Sequence, residues 1–154
     1  MTQTARQAMQ AFWAAEALPA DGNQSAWIDW IPVFGVPVPL PNPQSRASLL
    51  PYHDLHHMVT GYHTDELGEC EIGAWTAGTG GPQPFLGRIY DGLGLAWGLV
   101  RCPRRTLAAY RRGQESRNLY AWPIEELLEM TVDEVIALTQ TTPAHPSTDD
   151  VQAA

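Results

Sequence analysis

The chain has 154 residues and a mass of 17.0 kDa, the size of one domain with a single hydrophobic core. Its nine basic residues are all arginines, and 17 acidic residues give a net charge of -8, which argues against nucleic acid as a partner. No run approaches the ~20 apolar residues that a membrane span needs, so we expect a cytoplasmic protein, with at most a peripheral contact on the inner face of a membrane.

The N-terminal third combines one helical pattern with an irregular segment. Apolar residues recur at helical spacing between residues 5 and 13, which predicts a first amphipathic helix. Aromatic side chains concentrate from Trp27 to Phe34, where they either cover the core, the use we favour, or lie at a membrane interface. Five prolines between residues 32 and 43 exclude a regular helix or a central strand. We expect this segment to be extended and packed over the domain.

The next predicted helix carries two histidines at the spacing of a metal site. Pro51 fits its first turn and Gly61 its end. His53 and His57 lie one turn apart on the same face, as chelation of one divalent ion by two imidazoles requires. Asp54 lies at the edge of that face.

A second helix should follow the turn directly, with Asp65 or Thr64 as its N-cap, and it can return Glu69 to the histidines. We therefore predict a divalent metal site between consecutive helices. Its candidate ligands are His53, Asp54, His57 and Glu69. His56 either replaces Asp54 as a ligand or points away, and His63 in the turn is expected at the surface. Glu69 could instead be a first-turn acid favoured by the helix dipole.

The helix expected from about residue 83 to residue 101 has two faces. One is an apolar stripe, and the other is a narrow stripe of Gly87, Asp91, Gly94 and Gly98 at the same period. A glycine costs about 1 kcal/mol relative to alanine inside a helix, so three on one stripe indicate a close approach to the backbone. Either a neighbouring helix packs there, or Gly87, Gly94 and Gly98 line a groove that binds substrate.

Six of the nine arginines fall between residues 101 and 117. This cluster either binds a phosphate or carboxylate, with Arg111 and Arg112 as the candidates, or pairs with the acidic helix at Glu125, Glu126 and Glu129.

The C-terminal part completes the predicted architecture. Residues 131 to 134 have the pattern of a capping box that starts the last helix. Residues 141 to 154 have the composition of a disordered tail, which leaves residues 1 to 140 as the domain. The helical periods and the scarcity of strand signals predict an all-α single domain of five or six helices.

The spacing H-D-x-x-H, followed after eleven residues by E, resembles the signature of the coenzyme Q biosynthesis family known as Coq four. Residues 60 to 62, 64 to 65 and 67 to 69 are similar to that family as well. A second similar stretch comprises residues 109 to 113 and 122 to 135. The chain is shorter than the eukaryotic members and departs from them by an extra His56 and a proline-rich entry segment.

The resemblance implies a metal-dependent role in ubiquinone biosynthesis. Its catalytic form removes the carboxyl at carbon 1 of a prenylated aromatic precursor, with or without hydroxylation there. His53, His57 and Glu69 would hold the ion, with Asp54 as ligand or orienting acid, so the catalytic candidates are Glu69 and Asp54. Zinc is the expected ion, and iron is the alternative because two histidines and one carboxylate also describe the non-haem iron triad.

A second class of function is a binding protein without chemistry. In this form the chain is a metal-stabilised helical module that binds an isoprenoid lipid or holds other quinone-biosynthesis enzymes together. The expected partners are therefore a prenylated aromatic or isoprenoid lipid, biosynthetic enzymes, and a second copy of the chain in a homodimer.

Overall fold

The computed structural model describes residues 3–33, 36–81 and 85–140, so the predicted tail at 141–154 lies outside the described residues. The predicted all-α single domain is confirmed: in the described part, six helices have nine residues or more and two are shorter. The elements in chain order are α1 (Ala5–Ala15), β1 (Ile28–Val33), β2 (Val36–Pro41), α2 (Gln44–Ala47), α3 (Leu50–Thr60), α4 (Glu66–Gly78), α5 (Phe85–Arg101), α6 (Pro103–Gln114), α7 (Ile124–Glu129) and α8 (Val132–Gln140).

The proline-rich segment forms an antiparallel hairpin that the sequence did not predict. β1 pairs with β2 in a register that sets Ile28 opposite Pro41 and Val33 opposite Val36. Both strands are edges, where a proline without an N–H is tolerated. The expectation that the aromatic side chains from Trp27 to Phe34 cover the core is wrong for Trp27 and Trp30, which are 91% and 61% exposed. Among the described side chains of the strands, Ile28, Val36 and Val38 are exposed as well.

The helix ends around the predicted metal site follow the sequence signals. Gly61 caps α3 in the left-handed conformation, at φ 76°. Asp65 caps α4 by accepting a hydrogen bond from the backbone N–H of Gly68 at 2.8 Å. A Cβ atom at Gly68 would overlap the backbone of His63, so glycine is required for this tight return. The turn therefore brings the first turn of α4 directly beside α3.

The glycine stripe of α5 faces the protein interior. A Cβ atom at Gly94 would lie 3.6 Å from the carbonyl oxygen of Glu69 and 3.7 Å from the Cα of Gly73, both in α4. A Cβ atom at Gly98 would overlap Thr106 of α6. Close helix packing therefore explains Gly94 and Gly98, which corrects their assignment to a substrate groove. Gly87 is buried, and its role in substrate binding stays a prediction.

The larger side chains of α5 face outward instead. Ile89, Leu93 and Val100 lie on one side of the helix and are exposed, Leu93 by 61% and Val100 by 74%. None of the helices in the described part of the chain is both long and apolar enough to cross a membrane. The exposed stripe is thus an apolar surface patch that no described part of the chain covers.

The core consists of two hydrophobic clusters. One joins α1, α3, α7 and α8 and includes Met9, Leu55 and Val135. The other joins α4 and α6 and includes Ile72 and Trp75. Because α3 belongs to the first cluster and α4 to the second, a site between these helices lies where the two clusters meet.

Candidate metal centre

Three side chains converge between α3 and α4. The Nε2 atoms of His53 and His57 are 3.1 Å apart. Glu69 places Oε2 3.3 Å from Nε2 of His53 and Oε1 3.2 Å from Nε2 of His57. Donors around one tetrahedral zinc ion lie about 3.3 Å from one another, because zinc–nitrogen bonds are about 2.0–2.1 Å long. The donor set therefore fits one small divalent ion. Among the described residues, these three side chains are the group whose ligand atoms lie close enough together to hold one ion.

The buried His57 is fixed in the tautomer that a metal ligand needs. Its Nδ1 lies 3.0 Å from the carbonyl oxygen of Tyr62, which can only accept a hydrogen bond. Nδ1 therefore carries the proton, and the lone pair of Nε2 faces the other two donors. The Phe12 ring stacks on the imidazole with a centroid separation of 6.4 Å. The turn after α3 thus orients His57 before any ion binds.

The charges of His53 and Glu69 stabilise each other in the metal-free protein. Burial opposes the charged form of His53, but the carboxylate of Glu69, with Asp54 and Asp91 beyond it, raises its pKa to about 9. Burial acts against the charge of Glu69 too, but chiefly the charge and the hydrogen bond of His53 hold the pKa of Glu69 well below its usual range. The side chains of His53 and Glu69 remain 33% and 44% exposed. This ion pair is consequently reachable from one side.

Asp54 has a different partner from the one expected. Its Oδ2 accepts a hydrogen bond of 2.7 Å from the indole N–H of Trp13 in α1. Asp54 is buried, which raises its pKa, and it lies outside the group formed by His53, His57 and Glu69. Its contact ties α1 to the metal helix. Both of its expected roles, as a ligand and as the orienting acid, stay predictions.

The two other histidines near the site, His56 and His63, have opposite environments. His56 is fully buried, and its Nε2 accepts a hydrogen bond of 3.0 Å from the backbone N–H of Leu119. Its ring contacts the rings of Trp75 and Tyr120, and burial lowers its pKa to about 3. His56 is a neutral core residue, so the option that it replaces Asp54 as a ligand is wrong. His63 is exposed, as predicted.

The arginine cluster does not pair with the acidic helix as the sequence suggested. Glu125 and Glu129 bind Arg6 of α1 instead, at 2.7 and 2.9 Å. Arg112 donates to the carbonyl oxygen of Thr60 at 2.9 Å and lies 5.2 Å from the centroid of the Tyr62 ring.

Arg112 therefore supports the turn that orients His57, and that contact gives it a structural role. Arg111 is exposed, so its assignment as a substrate-binding residue stays a prediction.

One residue beside the site had no assigned role in the sequence. Asp91 of α5 interacts electrostatically with His53, and burial raises the pKa of Asp91 to about 7. Its position on the glycine stripe was the available signal, because a carboxyl on an inward face of small residues is costly without a use. Helical spacing alone could not show that this face meets the metal centre.

Comparisons with protein-family models, with curated proteins and with solved structures give no match for this chain. The resemblance to the Coq four family therefore depends on the motif residues, and its implications are proposals.

Proposed function

We propose that this chain is a metal-dependent protein of ubiquinone or related prenylated-aromatic biosynthesis, acting at the ring carboxyl of a prenylated precursor. The observation that supports the proposal is the convergence of His53, His57 and Glu69 on one point. Their spacing in the sequence is the motif that resembles the Coq four family. The exposed side of the centre leaves a coordination position for a ligand, as catalytic metal sites require.

A divalent ion at this centre would act as a Lewis acid toward the ring carboxylate or a neighbouring phenol oxygen. His53, His57 and Glu69 would hold and orient the ion, while Asp54 ties α3 to α1 through its hydrogen bond with Trp13. In simple decarboxylation the bond between ring and carboxyl carbon breaks, carbon dioxide leaves, and the ring carbon takes a proton. A hydroxylated product is a two-electron oxidation and additionally requires dioxygen, which would leave as hydrogen peroxide or, with a two-electron reductant, as water. This form would also require a redox-active ion, which would favour iron over zinc.

A second candidate is a non-catalytic protein that binds an isoprenoid lipid or holds biosynthetic enzymes together. The exposed apolar stripe of Ile89, Leu93 and Val100 supports it, because such patches mark contact with lipid or protein. The same stripe suits the prenyl tail of a substrate, a peripheral membrane contact or a second copy of the chain. The two candidates differ in whether the bound aromatic compound loses its carboxyl.

The proposal is tested by following the carboxyl of a prenylated hydroxybenzoate labelled there with a heavy carbon isotope. Protein loaded with zinc or ferrous iron is incubated with this compound, with and without dioxygen, and labelled carbon dioxide is measured. His57→Ala should abolish both metal retention and release of the label, because it removes a buried ligand imidazole. His63→Ala removes an exposed imidazole and should retain both.

Two outcomes would change the conclusion. Tight binding of the prenylated compound without carbon dioxide release, under all metal and oxygen conditions, supports the non-catalytic candidate. Full metal content in His57→Ala contradicts the metal centre itself.

A further inference from the structure

Asp91 lies on the turn of α5 that packs against the metal-binding turn of α4. A Cβ atom at Gly73 of α4 would be 3.3 Å from the carbonyl oxygen of Asp91. One turn further along α5, a Cβ atom at Gly94 would be 3.6 Å from the carbonyl oxygen of Glu69. The glycines let the two backbones approach this closely. Asp91 is therefore fixed beside the metal centre by helix packing.

The carboxyl of Asp91 lacks the hydrogen-bond donor that a buried carboxyl needs. Its Oδ2 is buried and has no hydrogen-bond partner among the described residues. Leaving such an oxygen unsatisfied is energetically costly, so an unpaired one in a native protein requires an explanation. Its electrostatic neighbours are His53 of the metal centre and the phenol of Tyr120.

A structural ion pair does not explain this carboxyl. The Nε2 atom of His53 is already engaged with His57 and Glu69. Asp91 also lies outside the group of three that could hold one ion together. Among the described residues, Asp91 therefore keeps an oxygen without a donor beside a centre that is open at His53, whose side chain is 33% exposed. A molecule bound at the centre would supply that donor.

We propose that Asp91 is the ligand-facing carboxyl of this centre: it accepts a hydrogen bond from a hydroxyl group on the molecule bound at the ion. Asp91 then selects ligands that carry a hydroxyl beside their metal-binding oxygen. This inference rests on the proposed metal centre, but it does not depend on decarboxylation or on a prenyl group.

The test compares glycolate with acetate on the zinc-loaded full chain. Both bind metal through a carboxylate, and glycolate adds one hydroxyl. In the parent, glycolate should bind more tightly than acetate for two reasons: its hydroxyl can bind the ion as a second donor, and it can donate a hydrogen bond to Asp91. The ratio of the two association constants measures both effects together. Asp91→Ala should lower this ratio by about threefold to tenfold, the effect of losing one hydrogen-bond acceptor. Affinities are measured by isothermal titration calorimetry at constant ionic strength.

The control is Glu66→Gln, which removes a carboxylate from the first turn of α4, the turn that also carries Glu69. Glu66 pairs with Arg101 at 3.3 Å, so its loss should leave the ratio unchanged. Asp91→Asn retains an oxygen acceptor without the charge and should lower the ratio by a smaller factor. If Asp91→Ala fails to fold, the ratio measured in Asp91→Asn shows whether Asp91 contacts the hydroxyl.

An unchanged ratio in zinc-loaded Asp91→Ala, or in zinc-loaded Asp91→Asn where alanine does not fold, overturns the inference and leaves the metal centre intact. Failure of the zinc-loaded parent to bind glycolate overturns it too. Failure of the parent to bind zinc contradicts the proposed function as well, so the two failures are distinguishable.

Discussion

The metal centre depends, at the scale of single residues, on which nitrogen of each imidazole carries a proton. In His57 the proton is on Nδ1, because this nitrogen donates a hydrogen bond to the carbonyl oxygen of Tyr62. His53 has no such fixed arrangement and gains its charge from Glu69. A zinc ion has to displace the proton of His53 before it can bind to that nitrogen, which couples metal binding to pH.

We predict that zinc affinity rises about tenfold per pH unit from pH 7 toward pH 9 and then levels off, as expected for displacement of one proton. The sign follows from the raised pKa of about 9, below which metal-free His53 is protonated. By the same linkage, the His53–Glu69 pair stabilises the metal-free fold fully below about pH 6.5 and loses this effect as the pH rises through about 9.

Zinc affinity is measured by competition with a chromogenic chelator, and proton release by calorimetry in buffers of different ionisation enthalpy. His63→Ala should retain the full pH dependence, because His63 is exposed and lies outside the group of three donors. An affinity that stays constant between pH 7 and pH 9 contradicts the assignment of His53.

The decisive contact at the scale of secondary-structure elements is the crossing of α4 and α5. Gly73 and Gly94 meet there with their backbones, and this approach brings Asp91 to the metal centre. Helix propensity disfavours glycine, so packing has to compensate for it. Gly94 and Gly92 form a matched pair for testing the effect of packing. Both lie on α5, but no described atom is near the Cβ position of Gly92.

We predict that Gly94→Leu lowers the free energy of unfolding by about 1–3 kcal/mol, because the side chain would have to displace α4. Gly92→Leu should be neutral or stabilise the protein by up to about 1 kcal/mol through helix propensity. Urea unfolding followed by circular dichroism measures both. If Gly94→Leu is as stable as Gly92→Leu and loses affinity for a prenyl compound, the groove interpretation of the stripe is the correct one.

On the scale of the whole molecule, the residues that the structure describes leave two apolar surfaces outside the core. The hairpin exposes Trp27 and Trp30, while α5 exposes Leu93 and Val100. Tryptophan is well suited to a membrane interface, and the two strands contain no basic residue that would attract anionic lipid. A hairpin contact with membrane would therefore depend on apolar burial rather than on charge.

We predict that the proposed peripheral contact uses the hairpin, so that replacing Trp27 and Trp30 by serine lowers binding to phosphatidylcholine vesicles by at least about tenfold. Vesicle cosedimentation measures the change, and circular dichroism should show an intact fold because neither side chain is in the core. The control is Val100→Ser, which makes the other apolar surface more polar. Reduced binding in Val100→Ser with normal binding in the double variant would assign the contact to α5 instead.

Local chemistry made the metal helix predictable from the sequence. The i, i+4 spacing of His53 and His57 places both imidazoles on one face in any α-helix, and the caps at Gly61 and Asp65 determine the short return to Glu69. Each of these features depends on residues within one or two turns of one another. The capping box at Thr131 and Glu134 was predictable for the same reason.

The remaining assignments were decided by the tertiary structure. Helical period gives the angle between two stripes of α5, but which stripe faces inward depends on whether α4 has a matching glycine at the crossing. The partner of Asp54 is Trp13, and that of His56 is the backbone of Leu119, both distant in the sequence. Burial by distant elements makes one histidine a ligand candidate and its neighbour a neutral core residue, because desolvation and hydrogen-bond partners are set by packing rather than by spacing.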